Sequence, residues 1–97
     1  MYAVIFRAEI NELNESYLKM ANRMRELAIK DYNCIEFTSC FEGNYEIAIS
    51  YWHDKEAIRT WKNDLEHLEA QELGKSKWYK SYQVQVVEVL NQYESIT

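Results

Sequence analysis

The side chains best suited to chemistry are concentrated between residues 51 and 82 of this 97-residue chain. This stretch contains all three tryptophans together with His67. An imidazole with an ordinary pKa of about 6.5 suits a general base near neutral pH. The large aromatic rings each bury roughly 150 to 250 Å². These rings predict either a pocket wall or the main core. A histidine on a helix with a solvent-facing flank is also commonly a structural or solvated residue, which is the alternative interpretation of His67.

Arg7 is a further candidate, because strand alternation places it on the same face as Ala3 and Ile5. A cation among apolar neighbours either reaches the strand end and pairs with a carboxylate, or it anchors an anionic ligand.

The two cysteines predict neither a disulfide nor a metal site. If Cys34 and Cys40 lie on one strand, six rises of about 3.3 Å separate them, which is far beyond bridging distance. Their spacing matches no zinc motif, and only two histidines accompany them. We therefore expect reduced thiols and no metal.

The composition indicates a globular protein of one domain over residues 1–97, with a polar tail at 91–97. The net charge of −5 argues against nucleic acid and anionic membranes as partners. No apolar run approaches the roughly 20 residues that span a bilayer, and the start lacks the basic region of a signal peptide. We expect a cytoplasmic protein.

The first half of the chain predicts strands at 2–8, 34–41 and 45–52, with a helix before the second strand. Asn14 suits the N-cap of that helix, and Asn33 suits a left-handed residue at its end. Gly43 suits the tight turn of a hairpin. The packing face of the helix comprises Tyr17, Met20, Ala21, Met24, Leu27 and Ala28.

The second half predicts a helix capped by Asp54, then a basic loop at 75–77 and a last strand entered through residues 78–79. Asn63 and Glu66 resemble a capping box, so the helix is expected to break near Asn63. Gly74 is the expected stop. The predicted buried stripe is Ala57, Ile58, Trp61, Leu65 and Leu68. A separate face, turned about 120° from Trp61 at 100° per residue, holds His67, Ala70, Gln71 and Gly74.

The element order βαββαβ predicts an α+β, ferredoxin-like fold with a four-stranded antiparallel sheet and helices on one face. Several strands carry apolar residues on both faces. A second copy packed sheet to sheet would cover the other face, so we expect a homodimer that forms a dimeric α+β barrel.

These residues resemble the antibiotic biosynthesis monooxygenase family, especially its small bacterial branch described as YqjZ-like. The resemblance begins with Tyr2-Ala3-Val4-Ile5-Phe6 and the first helix, and it covers nearly the whole chain. Its later part comprises residues 47–52, Ala57-Ile58, Trp61-Lys62, Glu66-His67, Ala70-Gln71, Gly74, Trp78-Tyr79 and Tyr82. At Asp31-Tyr32-Asn33-Cys34 the chain departs from the Pro-Gly turn that is common in relatives.

The resemblance implies a dimeric barrel and oxygen chemistry on quinol-like or polyphenolic aromatic substrates, without a cofactor. Such chemistry needs a general base, a stabiliser for a substrate anion and apolar walls. We assign the catalytic base to His67. The predicted substrate-binding residues are Phe6, Arg7, Tyr51, Trp61, Trp78 and Tyr79.

Two alternatives remain open at this stage. The first is a dimeric module that binds a small aromatic ligand without catalysis, because the chain has no carboxylate dyad, phosphate loop or metal cluster. The second is haem binding or degradation, as in related members. Those relatives place a histidine about ten residues after the helix tryptophan and an asparagine on strand one, whereas this chain has Gln71 and Arg7 there.

Overall fold

The chain folds into a four-stranded antiparallel sheet whose one face is covered by helices. A computed structural model describes residues 1–96, excluding the side chain of Ser76; Thr97, the end of the predicted tail, lies outside the described residues. The strand order is β2-β3-β1-β4. The elements are β1 (Tyr2–Ile10), α1 (Glu15–Asp31), β2 (Glu36–Glu42), β3 (Tyr45–Trp52), α2 (Lys55–Lys62), α3 (Leu65–Leu73), a π-helical turn (Gly74–Trp78) and β4 (Tyr79–Glu88). The predicted α+β fold is confirmed.

Helix α1 begins and ends as its sequence predicts. The side chain of Asn14 accepts a hydrogen bond from the backbone N–H of Tyr17 at 2.9 Å, which satisfies one of the free donors of the first turn. Asn33 adopts a φ of 60° after the helix, so it is the left-handed residue that reverses the chain. The buried residues of the helix are Tyr17, Met24, Leu27 and Ala28.

The hairpin between β2 and β3 is confirmed, with Gly43 at a φ of 60° in its two-residue turn. Strand β2 begins at Glu36 rather than at residue 34. The backbone N–H of Cys34 donates to the carbonyl of Ala28 at 2.9 Å, at the end of α1. Because this donor is used by the helix, Cys34 does not enter the sheet ladder.

The predicted break in the second helical segment is also confirmed. Helix α2 ends at Lys62, and the side chain of Asp64 caps α3 by accepting from the N–H of Glu66 at 2.8 Å. The cap is therefore one residue later than expected. The predicted buried stripe is wrong beyond the break, because Leu65 is 83% exposed and Leu68 is 43% exposed.

The segment predicted as a basic loop is a π-helical turn, and Gly74 does not reverse the chain. Its backbone is right-handed, with φ at −59° and ψ at −50°. A Cβ added at Gly74 would lie 2.4 Å from Cε2 of Tyr79. The glycine is needed at this position because the Tyr79 ring packs directly against the backbone.

The two faces of the sheet differ in what covers them. Trp52, Ser50 and Val4 point toward the helices and are buried. Strand alternation places Ile5 and Ile49, paired across β1 and β3, on the opposite open face. The open face therefore carries apolar side chains that no described element covers.

Candidate functional site

A cavity of about 530 Å³ lies between the covered face of the sheet and helices α1 and α3. Its size falls within the range of small-molecule sites, roughly 300 to 1,000 Å³. Much of its lining is apolar or aromatic. The structure brings five of the predicted site residues to this cavity, namely Phe6, Trp61, His67, Trp78 and Tyr79.

Arg7 and Tyr51 are not brought to the cavity. Both belong to the open face of the sheet, because Phe6 and Trp52 beside them point toward the helices. The guanidinium of Arg7 donates to Oε1 of Gln85 at 2.9 Å on that face. Neither side chain therefore reaches a ligand held in this cavity.

Trp61 is both a core residue and part of the cavity wall. It is only 6% exposed, and its ring lies 5.2 Å from that of Trp52 and 6.1 Å from that of Phe37, centroid to centroid. Its indole N–H donates to the carbonyl of Met24 at 3.2 Å. The pocket and core interpretations of this tryptophan are thus compatible, because different edges of one ring serve each role.

His67 lies against this tryptophan, with the two ring centroids 4.3 Å apart in an edge-to-face arrangement. A straight helix would have separated the two side chains by about 120°. The break between α2 and α3 redirects the second helix, and this brings His67 to Trp61. The break therefore brings together Trp61 and His67, which one continuous helix would have placed on different faces.

The hydrogen bonds of Gln71 fix the tautomer of His67. The amide nitrogen of Gln71 lies 3.3 Å from the carbonyl of Lys62, which can only accept, and 2.8 Å from Nδ1 of His67. The amide therefore donates to both atoms, and Nδ1 accepts. The neutral imidazole then carries its hydrogen on Nε2, which makes Nε2 a donor.

Burial lowers the pKa of His67 from 6.5 to about 4, and the ammonium of Lys62 acts in the same direction. The expected titration near neutral pH is therefore wrong, because charging the ring within the protein costs too much. At pH 7 the imidazole is neutral and, with Nδ1 occupied, it is better placed to donate a hydrogen bond than to take a proton.

We expect His67 to remain neutral on acidification until the pH approaches 4. The unfolded chain would protonate this residue near pH 6.5, so its contribution to stability is present above that value and is lost as the pH falls toward 4. The ¹⁵N chemical shifts of the imidazole, assigned in a His53→Asn background, measure the titration.

The variant Gln71→Glu should raise the pKa of His67, because a carboxylate accepts from a protonated Nδ1. Gln92→Glu, which adds the same charge in the exposed tail, should leave it unchanged. A titration midpoint near pH 6.5 in the unmodified protein would contradict the lowered pKa of His67.

A buried carboxyl group forms a second polar feature of the cavity, and the sequence did not identify it as a site. Glu46 is 4% exposed and accepts a hydrogen bond from the hydroxyl of Tyr17, which is 2% exposed. Both residues line the cavity. The available signal was the alternation of β3, which puts Glu46 on the same face as Ser50 and Trp52.

Burial changes the acidity of this group and its neighbours. It raises the pKa of Glu46, and the hydrogen bond from Tyr17 offsets this only in part. Burial also raises the pKa of Tyr79 to about 12. The pKa of Tyr17 is raised chiefly by burial, with contributions from Tyr79 and Glu46. Both tyrosines are therefore neutral donors at pH 7.

Trp78 contributes an unused donor beside this pair. Its ring packs edge-on against Tyr17, with the centroids 5.4 Å apart. The indole is 5% exposed, and its Nε1–H has no acceptor among the described residues. Buried donors without an acceptor are uncommon in proteins and call for an explanation.

The described residues contain no group of three or more side chains suited to hold a metal ion. None of the helices within residues 1–96 is long and apolar enough to cross a membrane.

Comparison with known proteins gives a sequence relative and several structural ones. No protein-family model matches the chain. The chain is similar to the uncharacterized protein YqjZ of Bacillus subtilis, with 38% identity over 89 residues, which cover 91% of this chain and 78% of YqjZ. This relationship shows common family membership.

Solved structures of low sequence identity share the fold. SnoaB, a cofactor-independent oxygenase from Streptomyces nogalater, matches with a TM-score of 0.80 at 11% identity over 97% of each chain. Rv0793 from Mycobacterium tuberculosis matches at 0.80 and 14% identity, over 96% of this chain and 98% of its own. An antibiotic biosynthesis monooxygenase matches at 0.68 and 16% identity, over 94% of this chain and 100% of its own.

Proposed function

Since the chain belongs to the same family as YqjZ of Bacillus subtilis and has the fold of antibiotic biosynthesis monooxygenases, we propose that it is a cofactor-independent monooxygenase. The proposed substrate is a small quinol-like or polyphenolic aromatic molecule. The substrate supplies the electrons, one atom of dioxygen enters the product and the other leaves as water.

The observation that supports this proposal is the aromatic cavity of about 530 Å³ against the covered face of the sheet. Phe6, Trp61 and Trp78 supply flat walls that suit a planar aromatic ring. Apolar walls also strengthen each hydrogen bond made inside, because they exclude water. The same cavity suits ligand binding without turnover, and the experiment below separates the two functions.

His67 has a specific role in this proposal. Its Nε2–H donates a hydrogen bond to an oxygen of the substrate that gains negative charge as the substrate reacts. A neutral donor is suitable because it stabilises the anion by a hydrogen bond, whereas a charged imidazolium would form an ion pair with it. Trp61 and Gln71 hold the imidazole in place from two sides.

Oxygen uptake with a panel of reduced quinols and naphthols tests the function. We expect turnover by the unmodified protein and a loss of about 10²-fold or more in His67→Ala, the effect of removing one donor from an oxyanion site. His53→Ala is the matched control, because His53 is exposed outside the cavity. Binding of the panel without oxygen uptake would favour the ligand-binding function, and turnover indifferent to His67→Ala would remove His67 from the mechanism.

We further propose that the protein is a homodimer formed through the open face of the sheet. The supporting observation is the apolar character of that face, where Ile47 is 44% exposed and Tyr45 is 59% exposed. Burying such a surface against a second copy is favourable. Light scattering after size-exclusion chromatography measures the mass, and a single-subunit mass at micromolar concentration would contradict the proposal.

A further inference from the structure

The carboxyl group of Glu46 is unusual because it lines an otherwise largely apolar cavity while retaining an unused oxygen. Oε1 accepts from the hydroxyl of Tyr17, whereas Oε2 accepts from no side chain or backbone group within residues 1–96. Glu46 forms no ion pair with a described residue. A buried carboxylate with one free oxygen is costly unless a further donor reaches it.

Among the described residues no cation pairs with Glu46, although Arg25 and Lys62 line the same cavity. Its cross-strand neighbours are Ala8 on β1 and Phe41 on β2. The ionisable groups nearest to it are Tyr17 on α1 and Tyr79 on β4, and both act to keep the carboxyl environment neutral rather than positive. The group is therefore arranged as a proton acceptor rather than as half of a salt bridge.

Trp78 forms part of the cavity wall beside this carboxyl group, because its ring packs against the same tyrosine that binds Glu46. Its Nε1–H has no acceptor among the described residues, but this nitrogen is itself buried and does not serve the carboxyl group. The donor that Oε2 of Glu46 lacks therefore has to come from a molecule in the cavity, and a ligand hydroxyl is a suitable donor.

We propose that Glu46, held by Tyr17, binds the hydroxyl group of a phenolic ligand and takes its proton. The inference deepens the proposed function, on which it rests for the aromatic nature of the ligand. In this step the ligand O–H bond breaks, its electron pair stays on oxygen as a phenolate, and the proton bonds to the carboxylate to give a neutral acid. No electron is transferred and the net charge of the site is conserved.

This assignment gives Glu46 the role of base that the sequence analysis assigned to His67. His67 accepts from Gln71 at Nδ1 and carries its own proton at Nε2, so it has no free lone pair to receive a proton. Glu46 has a free acceptor oxygen. The carboxylate is therefore the base, and the imidazole stabilises the anion that the base creates.

Binding of 4-nitrophenol under anaerobic conditions tests the proposal, because its phenolate absorbs in the visible range and the neutral phenol does not. The measurement is made at a pH below the pKa of the free phenol. We expect bound ligand to show the phenolate band in the unmodified protein and at least tenfold less of it in Glu46→Gln, which retains an acceptor for Tyr17. Glu42→Gln, an exposed residue at the end of β2, is the matched control and should keep the band.

Glu46→Asp, which keeps a carboxylate, guards against loss of folding as the cause, and circular dichroism monitors folding in every case. It should retain more of the phenolate band than Glu46→Gln, whereas Tyr17→Phe, which removes the donor that holds Glu46, should weaken the band. Equal bands in Glu46→Gln and the unmodified protein, or no binding to the unmodified protein, would overturn the proposal. The anaerobic assay does not depend on oxygenase activity. Phenolate formation here, together with no oxygen uptake in the quinol and naphthol panel, would support this inference and refute only the oxygenase function.

Discussion

Replacing Trp61 by alanine is expected to lower the free energy of unfolding by about 3 to 5 kcal/mol, the usual cost of removing a large buried ring. The ring contacts those of Trp52, Phe37 and His67, so the surrounding side chains cannot close the space without moving several others. The carbonyl of Met24 also loses its donor. Urea unfolding followed by circular dichroism measures the change.

Trp61→Phe is the matched control, because it retains an aromatic ring and removes the indole N–H. We expect it to lose clearly less stability than Trp61→Ala. A loss below about 1 kcal/mol in Trp61→Ala would contradict a core role. In that case Trp61 would belong to the cavity wall alone.

Removing the hydroxyl of Tyr17 is expected to cost about 3 kcal/mol, because Tyr17→Phe leaves the buried carboxyl of Glu46 without its hydrogen-bond donor. Adding Glu46→Leu to Tyr17→Phe should recover most of that loss. Replacing both members of a buried polar pair by apolar groups is often neutral or stabilising. Urea unfolding of the two single variants and the double variant gives the coupling energy.

The chain contains its own control for this prediction. The hydroxyl of Tyr32 also donates to a carboxylate, Oδ2 of Asp64, at 2.6 Å, but this pair is only half-buried and lies away from the open face of the sheet. Tyr32→Phe should lower the free energy of unfolding by no more than about 1 kcal/mol. Equal losses in Tyr32→Phe and Tyr17→Phe would show that burial does not determine the cost at Glu46.

Local signals in the sequence were enough to predict the fold. Asn14 and Asp54 cap their helices as their residue types indicate, and Gly43 forms the turn that joins two alternating strands. Each of these features depends on a few neighbouring residues. The order of the elements then restricts the topology, and the sheet follows.

The details of the site depend on contacts between distant parts of the chain, and these could not be predicted. The approach of His67 to Trp61 depends on the direction that α3 takes after the break. The role of Glu46 depends on Tyr17, which is 29 residues away. Alternation placed Glu46 on one face of β3, but only the packing of the helices shows which face is covered.

The break at Asn63 and Asp64 also divides the wall of the cavity into parts of unequal stability. Helix α2 is anchored by the buried side chains of Ile58 and Trp61. No described side chain of α3 is fully buried: His67 and Ala70 pack in part against the tryptophan core, and Glu66 pairs with Arg23 of α1 at the surface. Segments with few apolar contacts open at a fraction of the free energy of global unfolding. We therefore expect α3 to separate from the sheet at a lower free energy than the tryptophan core needs to unfold, and the largest molecule admitted to the cavity would then depend on that displacement rather than on the resting volume.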